Sequence, residues 1–201
     1  MKKRSPKPGL LFVVSGPSGS GKTTLALNLL KQARLRGKVI KSISFTTRKK
    51  RSGERQNKDY FFISEPEFRR LLKAKKILEW TRYLGYYYGT PKDFIDRQLG
   101  QGKNILLCLD LKGAMLLKRY YPRQTVTIFV VPPSLKELRA RIAGRCHQTV
   151  QEEVRRRLKL AKRELRCTKK YDYCLANKNF TQALKRLQGI VLKKIDQHRE
   201  E

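Results

Sequence analysis

The stretch that decides the fold is LLFVVSGPSGSGKTT, residues 10–24. Its apolar run, LLFVV, predicts a β-strand buried on both faces, and the residues after the loop predict a helix. Between them, Gly16, Gly21, Lys22 and Thr23 match the pattern G-x-x-x-x-G-K-[ST]. Glycine lets the backbone curl so that successive N–H groups face one point, and the helix adds the positive end of its dipole. The segment therefore predicts a binding site for phosphate groups.

The whole loop is expected to hold the phosphate chain of a nucleoside triphosphate, such as ATP. Lys22 is placed to reach the β- and γ-phosphates, and Thr23 can offer its hydroxyl to Mg²⁺. The expected triphosphate-binding residues are consecutive in the chain: Gly16, Pro17, Ser18, Gly19, Ser20, Gly21, Lys22, Thr23 and Thr24. ATPases, GTPases and small-molecule kinases all use such a loop, so the loop does not identify the acceptor.

Short apolar runs alternate with helical patterns along most of the chain. Further strands are predicted at VIKSIS (39–44), NILLCLD (104–110), TVTIFVV (125–131) and YDYCLAN (171–177). Helices are predicted at 23–35, after the capping pairs Ser134/Glu137 and Thr149/Glu152, and at 181–196. This alternation predicts an α/β fold in which helices flank both faces of a parallel sheet.

Residues 44–90 break this alternation and are rich in Arg, Lys and Tyr. We predict that they form a small inserted domain, with a helix at 65–75 that Ser64 and Glu67 begin. The core then consists of residues 10–43 and 91–201, and residues 1–9 are expected to form a basic tail.

The charge of the chain is extreme. Its 201 residues include 48 Lys and Arg against 16 Asp and Glu, a formal net charge of +32. Such a field attracts phosphates, nucleic acid and anionic lipid, so it bears on association and not on the fold. Two interpretations stay open, a basic surface without a specific partner and a nucleic-acid contact.

The cysteines and the apolar runs predict a cytoplasmic protein without a membrane span. The four cysteines show no C-x-x-C spacing, which favours reduced thiols over a disulfide framework. Cys146 and His147 are adjacent but lack partners, so they do not predict a metal site. No apolar run approaches the roughly 20 residues that cross a bilayer, and the first residues lack the apolar stretch of a signal peptide.

A second anionic site is predicted in SISFTTRKKRSGE, residues 42–54. Arg48 and Arg51, with Tyr60 further along the chain, can hold a dianionic phosphate, because guanidinium groups match phosphate oxygens in shape and charge. The same segment also fits an ordinary basic loop, and these residues alone do not decide between the two.

Together, the motifs resemble those of guanylate kinases. SGPSGSGKTT, SISFTTRKKRSGE, DYFF, LEW, YYYGTP, LDLKGA and FVVPPSLKELRARIAGR follow one another in this order, and the resemblance covers roughly residues 10–195. It implies a phosphate-loop core, a GMP-binding insertion at 44–90 and a helical lid at about 138–160. It further implies phosphoryl transfer from ATP to GMP, or to dGMP, with Mg²⁺ as the cofactor.

The resemblance also implies roles for individual residues. The GMP phosphate would meet Arg48, Arg51, Tyr60 and Tyr88, in a segment that includes Glu54, and the base would lie among Ser44, Glu79, Thr90 and Asp110. The catalytic cations would be Lys22, Arg48 and the lid residues Arg141, Arg145 and Arg157. Asn177 would contact the adenine of ATP.

Side-chain chemistry at Glu79 independently favours guanine. Guanine presents N1–H and an exocyclic amine on one edge, which a carboxylate accepts, and a hydroxyl at Ser44 or Thr90 can donate to O6. Adenine has an unprotonated N1 and no 2-amine, so it would leave the carboxylate unpaired. The alternative for Glu79 is a surface carboxylate beside Trp80.

Three features depart from the family pattern. Cys108 stands where an acid is usual, Cys146 replaces a glycine after Arg145, and the usual NDD reads NKN at 177–179. These departures leave open a guanylate-kinase-like binding module with weakened catalysis, and the net charge leaves open a kinase with an added nucleic-acid-binding role. The intact phosphate loop favours the enzyme over the module.

Overall fold

The core of the fold is a parallel sheet whose strands alternate with helices along the chain. A computed structural model describes residues 7–144 and 151–200. In these ranges the elements are β1 (Leu11–Ser15), α1 (Lys22–Leu30), β2 (Val39–Lys41), β3 (Phe45–Thr46), β4 (Phe61–Phe62), α2 (Glu65–Lys73), β5 (Ile77–Tyr83), β6 (Tyr86–Pro91), α3 (Lys92–Gly100), β7 (Asn104–Cys108), α4 (Leu111–Tyr120), β8 (Thr125–Val131), α5 (Leu135–Ala143), α6 (Gln151–Leu165), β9 (Tyr173–Ala176) and α7 (Phe180–Glu200).

The central strand of this sheet is β1. The strand order is β2-β7-β1-β8-β9, and every neighbouring pair is parallel. Val13 lies opposite Leu107 on one side and Thr127 on the other. Because β1 has a partner on both sides, the loop that follows it emerges from the middle of the carboxyl edge, where open α/β sheets bind ligands. The α/β class and the parallel sheet predicted from the sequence are confirmed.

Alternate residues of β1 face the two layers of helices, as the two-residue period of a strand requires. Phe12 and Val14 belong to a buried cluster with residues of α1 and α7. Leu11 and Val13 belong to a second cluster with residues of α3 and α4. Since both faces are covered, the strand has to be apolar at every position, which explains the uninterrupted run LLFVV.

A second, four-stranded sheet is formed within residues 45–91, in the order β4-β3-β6-β5. Phe68 of α2 packs with Ile77 and Tyr87 to form its own buried cluster. This sheet occupies the segment predicted as an insertion, and α4 of the core packs against its strand β5. The boundaries 44 and 90 themselves stay a prediction.

Several elements differ in length from the sequence prediction. Helix α1 ends at Leu30, and residues 33–35 form a separate 3₁₀ turn before Gly37, whose φ of 73° ends the segment. Strand β2 stops at Lys41 because it lies at the edge of the sheet and the chain then leaves for the insertion. Helix α7 extends to Glu200 along a buried stripe with a spacing of four residues that reaches Ile195.

Two of the predicted helix caps are confirmed. Ser64 accepts a hydrogen bond from the main-chain N–H of Glu67, and Ser134 accepts one from that of Glu137. The third cap, at Thr149, lies outside the described residues. Within the described ranges, no helix combines the length and apolar character that a membrane crossing requires.

The side chain of Asn104 ties the amino ends of three strands together. It is buried, it accepts from the N–H of Leu10 at 3.0 Å and it donates to the carbonyl of Lys38 at 2.9 Å. We expect Asn104→Ala to lower the free energy of unfolding by about 1–3 kcal/mol, because both main-chain groups lose their partner. Urea denaturation measures this, with exposed Gln101→Ala as the control; equal midpoints for the two variants would contradict it.

Candidate active site

The phosphate loop lies between the end of β1 at Ser15 and the start of α1 at Lys22. Gly16 has a φ of 143°, and a Cβ there would lie 2.5 Å from the carbonyl oxygen of Val130, so only glycine fits. The N–H of Ser20 donates to the carbonyl of Pro17 at 3.0 Å, which closes a tight turn within the loop. The backbone thus has the curled form that the sequence predicts.

The side chain of Asn177 binds the phosphate loop through a hydrogen bond to its main chain. This side chain is 5% exposed and donates to the carbonyl of Ser20 at 2.8 Å. A Cβ on Gly21 would lie 2.4 Å from the Asn177 amide nitrogen, so the absence of a side chain at Gly21 makes this contact possible. The amide is therefore committed to the loop, and the contact of Asn177 with adenine stays a prediction.

A cleft of about 1330 Å³ extends from the phosphate loop across to the second sheet and to helices α5 and α6, which lie in the segment predicted as a lid. Most of the residues that the sequence selects line this cleft: Gly16, Ser18, Lys22, Thr23, Ser44, Arg48, Arg51, Glu54, Tyr60, Glu79, Tyr88, Asp110 and Arg157. The other selected residues that the structure describes lie outside the lining: Pro17, Gly19, Ser20, Gly21, Thr24, Thr90, Arg141 and Asn177. Arg145, like Cys146, is outside the described residues.

The guanidinium of Arg48 forms the centre of a cluster on the far side of this cleft. Arg48 is 9% exposed, and its Nη2 donates to both carboxylate oxygens of Glu54, at 2.7 and 2.9 Å. Burial by itself would raise the pKa of Glu54, but the hydrogen bonds from Arg48 and from the Arg51 main chain, together with the charges of both arginines, outweigh burial and lower that pKa below its ordinary value. Glu54 thus orients Arg48, while the exposed Arg51 bonds to the same carboxylate through its main-chain N–H.

Two tyrosines complete this cluster. The Arg48 guanidinium lies 5.6 Å from the ring centre of Tyr60, and the rings of Tyr60 and Tyr88 meet edge to face at 6.0 Å. Burial, with a smaller contribution from Tyr88, raises the pKa of Tyr60 to about 12. The Tyr60 hydroxyl therefore keeps its proton at neutral pH and can donate a hydrogen bond to an anion.

A buried carboxylate, Glu79, lies on β5 at the floor of the cleft. Only 4% of Glu79 is exposed, and its Oε1 accepts from the Thr90 hydroxyl at 2.6 Å. Its Oε2 lies against Gly113, where an added Cβ would approach to 2.6 Å. The interpretation of Glu79 as a surface carboxylate beside Trp80 is therefore wrong, because β5 turns the side chain inward.

Burial raises the pKa of Glu79 to about 7, although the hydrogen bond from Thr90 lowers it. The nearby Asp110 raises the pKa further and Lys112 lowers it. Asp110 itself accepts from the N–H of Gly113 at 2.9 Å and so begins α4. A carboxylate in this position has lost much of its hydration, and it gains from any ligand that donates hydrogen bonds to it.

The two described arginines that were predicted for the lid, Arg157 and Arg141, differ in whether they line the cleft. Arg157 reaches into the cleft, where its Nη1 donates to the Ser18 hydroxyl at 2.9 Å, and it also pairs with Glu153. Arg141 pairs with Glu137 at 3.3 Å within α5 and does not line the cleft. On the surface of α6, Arg156 likewise pairs with Glu152 at a spacing of four residues.

Other residues of the cleft were not identified from the sequence. Lys41, Thr81, Tyr83 and Glu164 line it alongside the predicted residues. Lys41 ends β2, a position at the carboxyl edge that predicts a ligand contact once the strand order is known. Cys108, which was noted only as a departure, ends β7 and is exposed to the same cleft.

The residues present suit a metal ion that is bound mainly through a nucleotide. The Thr23 hydroxyl is exposed at the cleft in the first turn of α1. Among residues 7–144 and 151–200 there is no group of three or more His, Cys, Asp or Glu that could hold a metal alone. Mg²⁺ typically keeps several waters and uses one or two protein groups plus substrate phosphates, so Thr23 fits it.

Ionisation of Glu79 should make the stability of the fold depend on pH. Since its pKa is raised in the folded state, the unfolded chain releases this proton first as pH rises, and stability falls from about pH 4.5 to about pH 7. We expect the free energy of unfolding to fall by about 3 kcal/mol over this pH range through Glu79, and we expect Glu79→Gln to lack this change. Urea denaturation of both proteins across this range measures it, with exposed Glu200→Gln as the control. Parallel pH profiles for wild type and Glu79→Gln would refute it.

Asn177 should act on triphosphate binding through the loop. In Asn177→Ala the Ser20 carbonyl loses its donor and the space beside Gly21 opens, so we expect the dissociation constant for MgATP to rise about tenfold. Calorimetric titration measures this, and exposed Lys178→Ala serves as the neighbouring control. The increase in melting temperature on adding MgATP can also be compared between the variant and the wild type. Equal increases would contradict a positioning role for Asn177.

The comparisons with known proteins agree with this geometry. The family model described as guanylate kinase matches residues 9–194. The guanylate kinase of Caldanaerobacter subterraneus is 41% identical over 187 residues, which cover 92% of this chain and 88% of that protein. The guanylate kinase of Wolbachia pipientis is 39% identical over 185 residues, 92% of this chain and 90% of that protein.

A solved structure extends the likeness to three dimensions. The crystal structure of guanylate kinase from Anaplasma phagocytophilum matches with a TM-score of 0.77 and 31% identity, covering 94% of this chain and 87% of that one. The match therefore extends over nearly the whole of this chain. The chain therefore belongs to the guanylate kinase family.

Proposed function

We propose that this chain transfers the γ-phosphoryl group of ATP to GMP and so forms GDP and ADP. The observation that carries the proposal is that the phosphate loop, the Arg48 cluster and the buried Glu79 all face one cleft. A loop of main-chain N–H groups suits the triphosphate, and the two other groups suit a monophosphate and a guanine base. Their common cleft supports a direct transfer between two bound nucleotides.

Glu79 would select guanine through its donor edge. The carboxylate would accept from N1–H and the exocyclic amine, while the Thr90 hydroxyl fixes its orientation from behind. A hydroxyl from Ser44, which lines the cleft, would donate to O6. AMP would offer neither donor, so its binding would leave a buried acceptor unpaired, at a cost of several kcal/mol at most. No described residue is assigned to the ribose, so dGMP is included as an acceptor.

Arg48, Tyr60 and Tyr88 would hold the phosphate of GMP, with Arg51 reaching it from the exposed side of the loop. In the structure Glu54 faces the Arg48 guanidinium, and we assign it the orientation of that group, because a carboxylate would repel a dianionic phosphate. The Nη1 of Arg48 donates to the carbonyl of Lys49, which fixes the side chain from a second direction.

Transfer would need positioning and charge neutralisation more than covalent help from the protein. An oxygen of the GMP phosphate attacks the γ-phosphorus of ATP, and the bond from that phosphorus to the β–γ bridging oxygen breaks. Lys22 and Arg157 would balance the charge on the migrating group, joined by Arg141 and Arg145 if the lid closes further. The attacking phosphate is already ionised, so no general base is required.

A divalent metal, for which we propose Mg²⁺ held by Thr23 and the nucleotide, would supply further positive charge at the β- and γ-phosphates when bound. We keep the predicted site residues as proposals, and we give Glu54, Thr90 and Asn177 orienting roles. The free thiols of Cys108, Cys167 and Cys174 support a cytoplasmic setting. A binding module without turnover would not require Gly16, Gly21 and Lys22, and the presence of all three in the sequence favours the kinase.

A nucleotide panel tests the function. With MgATP as donor, we expect GMP to be phosphorylated, dGMP to follow, and AMP, CMP and UMP to react at least about a thousandfold less efficiently in kcat/KM. Release of ADP, coupled to a dehydrogenase reaction, measures the rate. Comparable rates for AMP and GMP would refute guanine selection, and no turnover with any monophosphate would favour the binding module.

Two variants separate transfer from recognition. Lys22→Ala should lower kcat by at least about a hundredfold and leave the dissociation constant for GMP within about twofold. Glu79→Gln should instead reduce the preference for GMP over AMP, because an amide cannot accept from both guanine donors. Near-normal turnover in Lys22→Ala, or unchanged selectivity in Glu79→Gln, would contradict the assigned roles.

A further inference from the structure

The amino edge of the core sheet carries a row of cations. All five strands of this sheet are parallel, so their amino ends lie on one edge, opposite the carboxyl edge with the phosphate loop. A Lys or Arg precedes each of the five strands by one to four residues, and we name this set the edge row: Lys7, Lys38, Lys103, Arg123 and Lys170. Each strand contributes one positive charge to the same edge.

The strand order places these cations in sequence across the sheet. Following β2-β7-β1-β8-β9, the row runs Lys38, Lys103, Lys7, Arg123 and Lys170. Neighbouring strands lie about 4.8 Å apart, so the row spans about 20 Å. Hydrogen bonds tie its backbone together, because the Asn104 side chain joins Leu10 to the carbonyl of Lys38 and the N–H of Leu11 donates to the carbonyl of Gln124. The charges therefore form a line on a rigid base.

The charge of the edge row is not neutralised by described carboxylates. All five residues are exposed, and none forms an ion pair within the described ranges. Lys7 donates to the main-chain carbonyl of His198, a neutral group. Further exposed cations flank the row: Arg34, Arg36, Arg119, Lys169 and Arg199. The acids beside it are Asp96, which pairs with Lys92 and accepts from the Tyr121 hydroxyl, Asp172, which pairs with Lys118, and Asp196 and Glu200 near the end of α7.

One aromatic side chain stands exposed beside this row. Tyr120, the last residue of α4, is 55% exposed and lies three positions before Arg123. The other large apolar side chains that are exposed in the described ranges, Tyr86, Leu135 and Phe180, belong to the second sheet or to helices that begin at the carboxyl edge. A single aromatic ring among cations offers a stacking surface for a base, but it gives a lipid bilayer little to bury.

We propose that the edge row binds single-stranded nucleic acid, with its cations on successive phosphates and Tyr120 stacked on an unpaired base. A linear set of charges matches a linear polyanion, and these contacts to phosphate carry no base sequence preference. An unpaired strand is favoured over a duplex because bases inside a duplex are already stacked on each other. This surface is separate from the nucleotide cleft, so both can be occupied at once.

A charge-matched pair of variants tests the proposal. The edge variant combines Lys38→Gln, Lys103→Gln, Arg123→Gln and Lys170→Gln. The control variant combines Lys73→Gln, Lys136→Gln, Lys159→Gln and Lys185→Gln, exposed cations on other surfaces. Fluorescence anisotropy with labelled single-stranded RNA and DNA, and with a duplex, measures binding between about 50 and 200 mM salt. GMP phosphorylation by both variants checks that they are folded.

We expect the edge variant to bind single strands at least about tenfold more weakly. The negative slope of the logarithm of the association constant against the logarithm of the salt concentration should become shallower by about three, at about 0.7 for each of the four lost phosphate contacts. The control variant should stay within about twofold of the wild type, and Tyr120→Ala should weaken binding of single strands more than of the duplex. Equal binding of RNA and DNA agrees with phosphate contact, whereas a preference for RNA would locate an added contact at the 2′-hydroxyl.

Four results would overturn the proposal. They are the absence of binding at low salt, an equal loss in the edge and control variants, displacement of the strand by saturating ATP and GMP, and an unchanged preference for single strands in Tyr120→Ala. Displacement by nucleotides would assign the strand to the cleft. Binding of the wild type to vesicles of phosphatidylserine and phosphatidylcholine, without binding to single strands, would assign the edge row to a membrane surface.

Discussion

The structure depends on how closely the phosphate loop is packed against the strands beside it. Gly16 passes so near the carbonyl of Val130 that a single added carbon would collide with it. Asn177 holds the loop from the other side through the carbonyl of Ser20. These two contacts, made by the protein itself, hold the main-chain N–H groups in their curled arrangement. A preformed loop loses little conformational entropy on binding, which favours the bound nucleotide.

Burial of Glu79, unlike the packing of the loop, costs the folded protein free energy. Desolvation makes its charged form unfavourable in the empty cleft, and Thr90 offsets only a part of that cost. A ligand that donates two hydrogen bonds would replace the hydration that Glu79 loses on burial. The carboxylate that lowers the stability of the fold near neutral pH would therefore increase the selectivity for guanine. The Arg48 and Glu54 pair differs, because each partner already stabilises the charge of the other.

Much of this architecture could be predicted from the residues alone. The buried strands, the phosphate loop and the caps at Ser64 and Ser134 follow from local periodicity and local chemistry, and the structure bears them out. Contacts between distant positions could not be predicted in this way. The bond from Asn177 to Ser20 joins residues 157 positions apart, and the inward turn of Glu79 depends on how β5 packs against α4. The short β2 likewise follows from its place at the sheet edge, which only the strand order reveals.

The raised pKa of Glu79 has a consequence for the heat of binding. Because burial raises the pKa of this carboxyl to about 7, a substantial fraction of the molecules holds a proton on it near neutral pH when no guanine is bound. If guanine requires the ionised form, then taking up the base must expel that proton into the surroundings. The measured enthalpy would then contain the protonation heat of whichever buffer accepts it. Titrations in two non-phosphate buffers would then differ by the difference between the protonation heats of those buffers, although the affinity in both is the same.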